Sequence, residues 1–90
     1  MVAKSVYTES RQIRGIPLWL LREYLEELGG TAVSETRVEG EGWTITLAKM
    51  EPFILGSLRV GQVMMEIEGD EEAITRLKPG LEKKTMRAGA

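Results

Sequence analysis

The stretch that decides the fold is residues 17–28, PLWLLREYLEEL, which predicts an amphipathic helix. Four leucines recur at helical spacing and form one apolar stripe: Leu18, Leu21, Leu25 and Leu28. Pro17 suits the first helical position, and Gly29-Gly30 favours a helix end because glycine adopts the left-handed conformation of a C-terminal cap. Twelve helical residues span roughly 18 Å, about the length of a five- or six-residue strand. The stretch is therefore typical of a helix packed across a β-sheet.

The sequence on both sides of this helix predicts strands. Residues 1–16 are predicted to form a strand that leads into it, with Gly15 as a bend. Residues 31–39 are rich in β-branched side chains and predict a second strand. A tight turn at residues 40–42 then leads into residues 43–50, where apolar and polar side chains alternate. These two strands are predicted to form a β-hairpin.

Pro52 interrupts the alternation, so the apolar run Phe53–Leu55 is interpreted as either a short edge strand or a helical turn. Residues 58–68 alternate again and predict a further strand. One of its faces carries Val63, Met65 and Ile67, and the other carries Leu58, Val60, Gln62 and Met64.

The next segment predicts a second helix. Asp70 suits the N-cap position, and Glu71-Glu72 follows where the positive end of the helix dipole favours anions. Apolar residues then recur at helical spacing: Ala73, Ile74, Leu77 and Leu81. A proline disfavours helical geometry in the residue before it, so Pro79 predicts a kink or two short helices. Residues 85–90 are expected to form a loose tail.

The predicted order is strand, helix, four strands and helix, and strands joined by short turns are antiparallel neighbours. We therefore predict an α+β fold that forms one domain over residues 1–90. It consists of an antiparallel four- to five-stranded sheet with two helices on one face, in the β-α-β4-α order of the fold named for the TATA-binding protein. A ferredoxin-like sheet is the alternative, and it needs a further strand after the second helix.

Residues 65–77, MEIEGDEEAITRL, are followed by a basic tail. This layout resembles the final strand-turn-helix of small uncharacterised single-domain α+β families of thermophilic bacteria. The resemblance implies a layout and carries no functional residues. The composition indicates a source that grows hot, because asparagine is absent and glutamate outnumbers aspartate thirteen to one.

The amino-acid composition also restricts the chemistry. The chain has no cysteine and no histidine, so it lacks disulfides, thiolate nucleophiles, the commonest general base and the commonest transition-metal ligand. Its serines have no histidine partner, and no catalytic motif occurs. We therefore expect no enzymatic activity, no catalytic residues and no cofactor.

The charge of the chain is balanced, with a net charge of −2 and a pI of about 5.2. Nucleic-acid-binding domains usually carry a basic stripe, so no nucleic-acid partner is expected. No apolar run approaches the ~18 residues of a membrane span, and the first residues lack the apolar region of a secretory signal. These features favour the cytoplasm and no membrane partner.

Two groups of charged residues are candidate ion sites. Residues 66–72 contain five carboxylates, but helix capping and a solvated surface explain them without a metal ion, and the calcium-loop spacing is absent. Four basic residues could gather at one end of the sheet and bind an anion: Arg11, Arg14, Lys49 and Arg59. Pairing with neighbouring glutamates is the alternative interpretation of these cations.

The sheet face that the helices leave uncovered is the candidate interface. Strand alternation sends Leu58, Val60 and Met64 to this face, beside Thr44, Thr46, Ala48 and Gln62. Because this patch is weakly polar, we expect a homodimer that forms through it. The leading hypothesis is thus a non-enzymatic interaction module with a second copy or another protein as its partner. A domain that binds a small ligand or an anion through the sheet-end arginines is the alternative.

Overall fold

The computed structural model describes residues 6–89, with side chains described from residue 6 to residue 86. Five strands and two helices follow one another in the predicted β-α-β4-α order. They are β1 Val6–Arg14, α1 Leu18–Glu27, β2 Thr31–Ser34, β3 Arg37–Gly40, β4 Trp43–Leu55, β5 Leu58–Asp70 and α2 Glu71–Gly89. Within residues 6–89 no strand follows α2, so the ferredoxin-like alternative is wrong. The first five residues of the predicted first strand lie outside the described part of the chain.

The five strands form one antiparallel sheet in the order β1-β5-β4-β3-β2. β1 pairs with β5 from Val6–Asp70 to Arg14–Gln62 without a shift in register. At the opposite edge, β2 has only four residues, and its pairing with β3 is irregular between Ala32 and Ser34. The two edges therefore differ, because β1 is long and regular whereas β2 is short and bulged.

Strand alternation gives the sheet a covered face, on which the helices pack, and an open face that faces solvent. The covered face of β4 and β5 carries buried side chains: Trp43, Ile45, Leu47, Val63, Met65 and Ile67. Leu21 and Leu25 of α1 have no exposed surface, and α2 adds Ala73, Ile74, Leu77 and Leu81 to the same core. The prediction of two helices on one face of an antiparallel sheet is confirmed.

Two glycines make room for the indole ring of Trp43 in this core. A Cβ atom at Gly40, which pairs with Trp43 across the β3–β4 turn, would overlap the indole ring. A Cβ atom at Gly30 would lie 2.6 Å from the ring carbon Cη2. Both positions therefore require glycine if the ring is to stay where it is, 7% exposed.

Residues 31–39, predicted as one strand, form β2 and β3 with a turn between them. The Thr36 N–H donates to the Ser34 hydroxyl at 3.2 Å, which is a side-chain bond that stabilises a turn. Arg22 of α1 donates to the Glu35 carbonyl at 2.9 Å and fixes this turn to the helix. The predicted turn before Trp43 and the hairpin that follows it are confirmed.

Phe53–Leu55 is a strand segment, which excludes the helical-turn interpretation. It continues β4 beyond Pro52 and pairs with residues 58–60 of β5. Proline is tolerated here because β3 pairs only with residues 43–46 of β4, so this part of β4 has a free side.

The second helix differs from the prediction in two respects. α2 is one helix that passes through Pro79, so the alternative of two short helices is wrong. Leu77 and Leu81, on either side of the proline, are both buried, and this packing holds the helix together. Residues 85–89, expected as a loose tail, continue α2, and the Thr85 hydroxyl donates to the Leu81 carbonyl at 2.9 Å. Among the described residues, no helix has the length and apolar character that crossing a membrane requires.

Candidate docking surface on the open sheet face

One half of the open face is apolar and belongs to the β4–β5 hairpin. Paired residues of antiparallel strands share a face, so the pairs Phe53–Val60 and Leu55–Leu58 lie on the same side as Met64. Leu55 and Leu58 are 61% and 63% exposed. The apolar residues of this half are Ala48, Met50, Phe53, Leu55, Leu58, Val60 and Met64, and we call them the apolar strip.

A β-bulge explains why Phe53 and Leu55 belong to the apolar strip. Glu51 and Pro52 together lie opposite Gly61, so the pairing of β4 with β5 shifts by one residue between Met50 and Phe53. A shift of one residue exchanges the two faces of a strand. Ile54 therefore points to the covered-face side, and its neighbours Phe53 and Leu55 point to the open side.

The apolar strip lies mostly on a part of the hairpin that projects beyond β1. β1 ends at Arg14, opposite Gln62, so residues 51–61 have no β1 neighbour. Arg14 supports the base of the projection, because its Nε donates to Gln62 Oε1 at 2.9 Å and its guanidinium lies 4.0 Å from the Phe53 ring centre. Gln62 in turn donates to the Glu51 carbonyl at 2.9 Å. These contacts hold the projecting hairpin in line with the sheet.

The other half of the open face is polar. Glu66 lies between Ser10 and Thr46 on the neighbouring strands, and Glu68 lies between Thr8 and Thr44. These residues, with Arg37, line a shallow depression of about 240 Å³. Among the described residues, no three acidic side chains come together in a way that could hold a metal ion. The residues predicted as an interface thus divide: Leu58, Val60 and Met64 lie in the apolar strip, whereas Thr44 and Thr46 lie in the polar half.

The four basic residues predicted as an anion site do not gather at one end of the sheet. Arg14 lies on the open face, as its bond to Gln62 shows, whereas the other three lie on the covered-face side of their strands. Arg59 and Lys49 pair with Ile54 and Val63, so four residues of β5, roughly 13 Å, separate them. Arg11 is bound to Glu9 and lies 3.5 Å from Glu82, so its charge is compensated within the chain.

A network of charged and polar groups joins β1 to α2. Glu9 accepts hydrogen bonds from the Tyr7 hydroxyl and from Arg11 Nε, and Lys78 Nζ lies 3.1 Å from its carboxylate. The Tyr7 hydroxyl, followed by Arg11, lowers the pKa of Glu9 to about 2. Lys78 also donates to the Tyr7 oxygen at 2.6 Å, and this bond, then Glu9, raises the pKa of Lys78. The network fixes α2 across the end strand of the sheet.

Sequence reasoning missed three of the seven residues of the apolar strip, namely Met50, Phe53 and Leu55. Met50 continues the alternation of Thr44, Thr46 and Ala48, so the pattern was sufficient to place it on the open face. Phe53 and Leu55 lie beyond the bulge, and simple alternation through Pro52 does not place them there. The signal that could find them is a proline inside a strand pattern, since a strand proline is confined to edges and bulges.

The fold and this surface define a small two-layer α+β domain with an open sheet face and a projecting apolar hairpin. Residues 9–90 match the model of a family described as "Archaeal MoaD-like protein". Because this match covers most of the chain, the protein belongs to that family. A search of curated proteins found no match. The family is named for archaea, whereas the resemblance pointed to bacteria, and the growth temperature of the source stays a prediction.

Proposed function

We propose that this protein is a non-catalytic interaction domain that associates with a second copy of itself through the open sheet face. The observation that supports this function most is the apolar strip on the projecting hairpin. Leu55 and Leu58 leave more than half of their surface in water, although they pair with each other at the end of the hairpin. A contiguous exposed apolar patch more often marks a contact surface than a solvated one.

The strip suits a flat, symmetric contact. A two-fold dimer presents the same patch from both subunits, and a sheet face of uncharged side chains has no like charges that such an arrangement would oppose. Arg14 is a charged neighbour of the strip, and its guanidinium already lies over the ring of Phe53. The polar half of the face would form the rim of the contact, as in most protein interfaces.

The test compares two substitutions on opposite faces of the same hairpin. Leu58→Glu puts a charge in the apolar strip, and Ile54→Glu puts the same charge on the other face of the hairpin. Leu58 and Ile54 are exposed to a similar degree, 63% and 57%, so both variants should stay folded. Light scattering after size exclusion should show that Ile54→Glu associates as the wild type does, whereas Leu58→Glu forms smaller assemblies than the wild type. Association of Leu58→Glu equal to that of the wild type would contradict the proposal.

Family membership supports a second candidate, a function like that of a sulfur carrier. Because the chain has no cysteine, it cannot hold sulfur as a persulfide. A carried sulfur atom would have to replace an oxygen of a carboxylate group. Iodoacetamide would then alkylate protein purified from its own cells, whereas the same chain made in a heterologous host would stay unlabelled. Intact-mass spectra without labelling from either source would exclude this candidate.

A cytoplasmic location of the protein stays a prediction.

A further inference from the structure

The free edge of β1 is open for strand pairing. β1 contains nine residues, has no proline and no bulge, and among residues 6–89 it pairs with β5 alone. Natural sheets protect such an edge by shortening, bulging or covering it, or by placing charged side chains on it. The β2 edge of this sheet is both short and bulged, whereas β1 is long and regular and carries the charged residues Glu9, Arg11 and Arg14.

The hydrogen bonds show which groups of β1 point outward. The Gly15 N–H donates to the Gly61 carbonyl at 3.0 Å, and this bond continues the β1–β5 register. On the other side of β5, the Asp70 N–H donates to the Gly42 carbonyl at 2.9 Å. Bonded pairs alternate along an antiparallel ladder, so the odd-numbered residues of β1 bond to β5. The N–H and C=O groups of the even-numbered residues, with Ser10 at the centre, therefore point away from the sheet.

We propose that the partner at this edge is a second copy of β1, paired antiparallel about a two-fold axis at Ser10. This register places Glu9 of each copy opposite Arg11 of the other. It also places Tyr7 opposite Ile13, two half-buried side chains that pack against the edge of the core. Opposite charges and aromatic–aliphatic pairs are both favourable cross-strand neighbours. The sequence of β1 is thus complementary to itself in this register.

The second helix extends the same complementarity. Lys78 is bound at Glu9, and Glu82 lies beside Arg11. Because the two-fold axis brings Glu9 of one copy opposite Arg11 of the other, it also brings Lys78 of one copy beside Glu82 of the other. Strands lie about 4.8 Å apart, and α2 contacts both β1 and β5. The two α2 helices would therefore lie roughly 10 Å apart, which is a normal distance for packed helices.

The resulting assembly joins two five-stranded sheets into one continuous sheet. It leaves both open faces on the same side and uncovered. The edge contact is therefore independent of the contact proposed for the apolar strip. If both contacts form, two different two-fold axes operate, and the assembly grows beyond a dimer; axes that intersect at right angles give a closed tetramer.

The first experiment is a pair of substitutions at Ser10. Ser10→Pro removes the outward N–H at the centre of the proposed contact, and an edge strand tolerates a proline that faces away from the sheet. Ser10→Ala removes the same hydroxyl but keeps the N–H. Sedimentation velocity should show that Ser10→Ala associates as the wild type does and that Ser10→Pro loses one association step. A wild-type chain that stays monomeric at high micromolar concentration would overturn the proposal, and so would undiminished association of Ser10→Pro.

The second experiment keeps the proposal testable if Ser10→Pro does not fold. Directly paired residues have Cα atoms about 5.5 Å apart, within the range that a disulfide spans. Because the chain has no cysteine, Ser10→Cys introduces a single thiol. Under mild oxidation it should form a covalent dimer much faster than Ser34→Cys, an exposed control on the bulged β2 edge. Equal rates for the two variants would overturn the edge pairing.

The two proposed contacts fail separately. Loss of association in Leu58→Glu but not in Ser10→Pro would support the apolar strip and overturn the β1 edge. The opposite result would support the edge and overturn the strip.

Discussion

Replacing Gly40 by alanine should destabilise the protein although it adds only one methyl group. That methyl group would overlap the Trp43 indole, which lies in the core between Gly30 and Gly40 and is 7% exposed. The ring cannot move freely, because a new position would have to fit against close-packed neighbours. Adding atoms to a well-packed core typically costs about 1–3 kcal/mol. For a domain of this size, each kcal/mol lowers the melting temperature by roughly 4–8 °C.

The matched control is Gly61→Ala on β5. A Cβ atom at Gly61 has no neighbour within 4 Å, and its backbone does not have a positive φ. Alanine there should be neutral or slightly stabilising, because it restricts the unfolded chain. Thermal unfolding followed by circular dichroism should therefore show a melting temperature roughly 5–20 °C lower for Gly40→Ala and little change for Gly61→Ala.

A double-mutant cycle assigns the effect to the indole ring. If overlap with Trp43 is the cause, Gly40→Ala should cost much less in a Trp43→Leu background, since residues in contact couple. Equal costs in the two backgrounds, or equal melting temperatures of Gly40→Ala and Gly61→Ala, would refute the reasoning.

Three further outcomes are expected. Leu25→Ala should lower the free energy of unfolding by about 2–5 kcal/mol, whereas Glu26→Ala, on the exposed side of α1, should change it little; equal effects in thermal melts would mean that the buried side of the helix is misassigned. The pKa of Glu9 is lowered from 4.5 to about 2, so its ionised form stabilises the fold above pH 4.5, and this contribution disappears as the pH falls toward 2. Glu9→Gln should therefore reduce stability at pH 7 and narrow its difference from the wild type in acid, as denaturant titrations at several pH values would show. The protein should not change the mobility of random duplex DNA in a gel at physiological salt, because its net charge is −2. A salt-dependent shift of the DNA would contradict this.

Regular alternation and helical spacing were sufficient to predict the two helices and the covered face. The predicted number of strands agrees with the structure because residues 31–39 form two strands, while the two predicted strands on either side of Pro52 form one. Leu21 and Leu25 repeat at a spacing that brings both to one side of a helix, and strand residues such as Ile45 and Met65 alternate with polar neighbours. Such patterns arise because one side of a helix or strand is buried, and the structure shows that all four of these residues are buried.

The deviations came from contacts that periodicity does not encode. The turn within residues 31–39 depends on a hydroxyl of Ser34 and on Arg22 of a distant helix. α2 passes through Pro79 because tertiary packing outweighs the local preference of proline. For Arg11 the alternative interpretation, pairing with a neighbouring glutamate, agrees with its bond to Glu9 two residues away on the same strand. Its second carboxylate partner, Glu82 of α2, could not be predicted from the sequence, because only the fold brings the two residues together.

The bulge at Pro52 lets the chain lose a residue without changing the surface of the hairpin tip. Glu51 and Pro52 share one partner, Gly61, so removing one residue there would restore simple pairing. Phe53 would still lie opposite Val60, and Leu55 opposite Leu58, so both would keep their place on the open side. The core, which lies nearer the other end of the hairpin, would also keep its contacts. A single-codon deletion at this position therefore leaves the chemistry of the exposed tip unchanged, and a difference in length here does not by itself mark a difference in binding specificity among relatives of this protein.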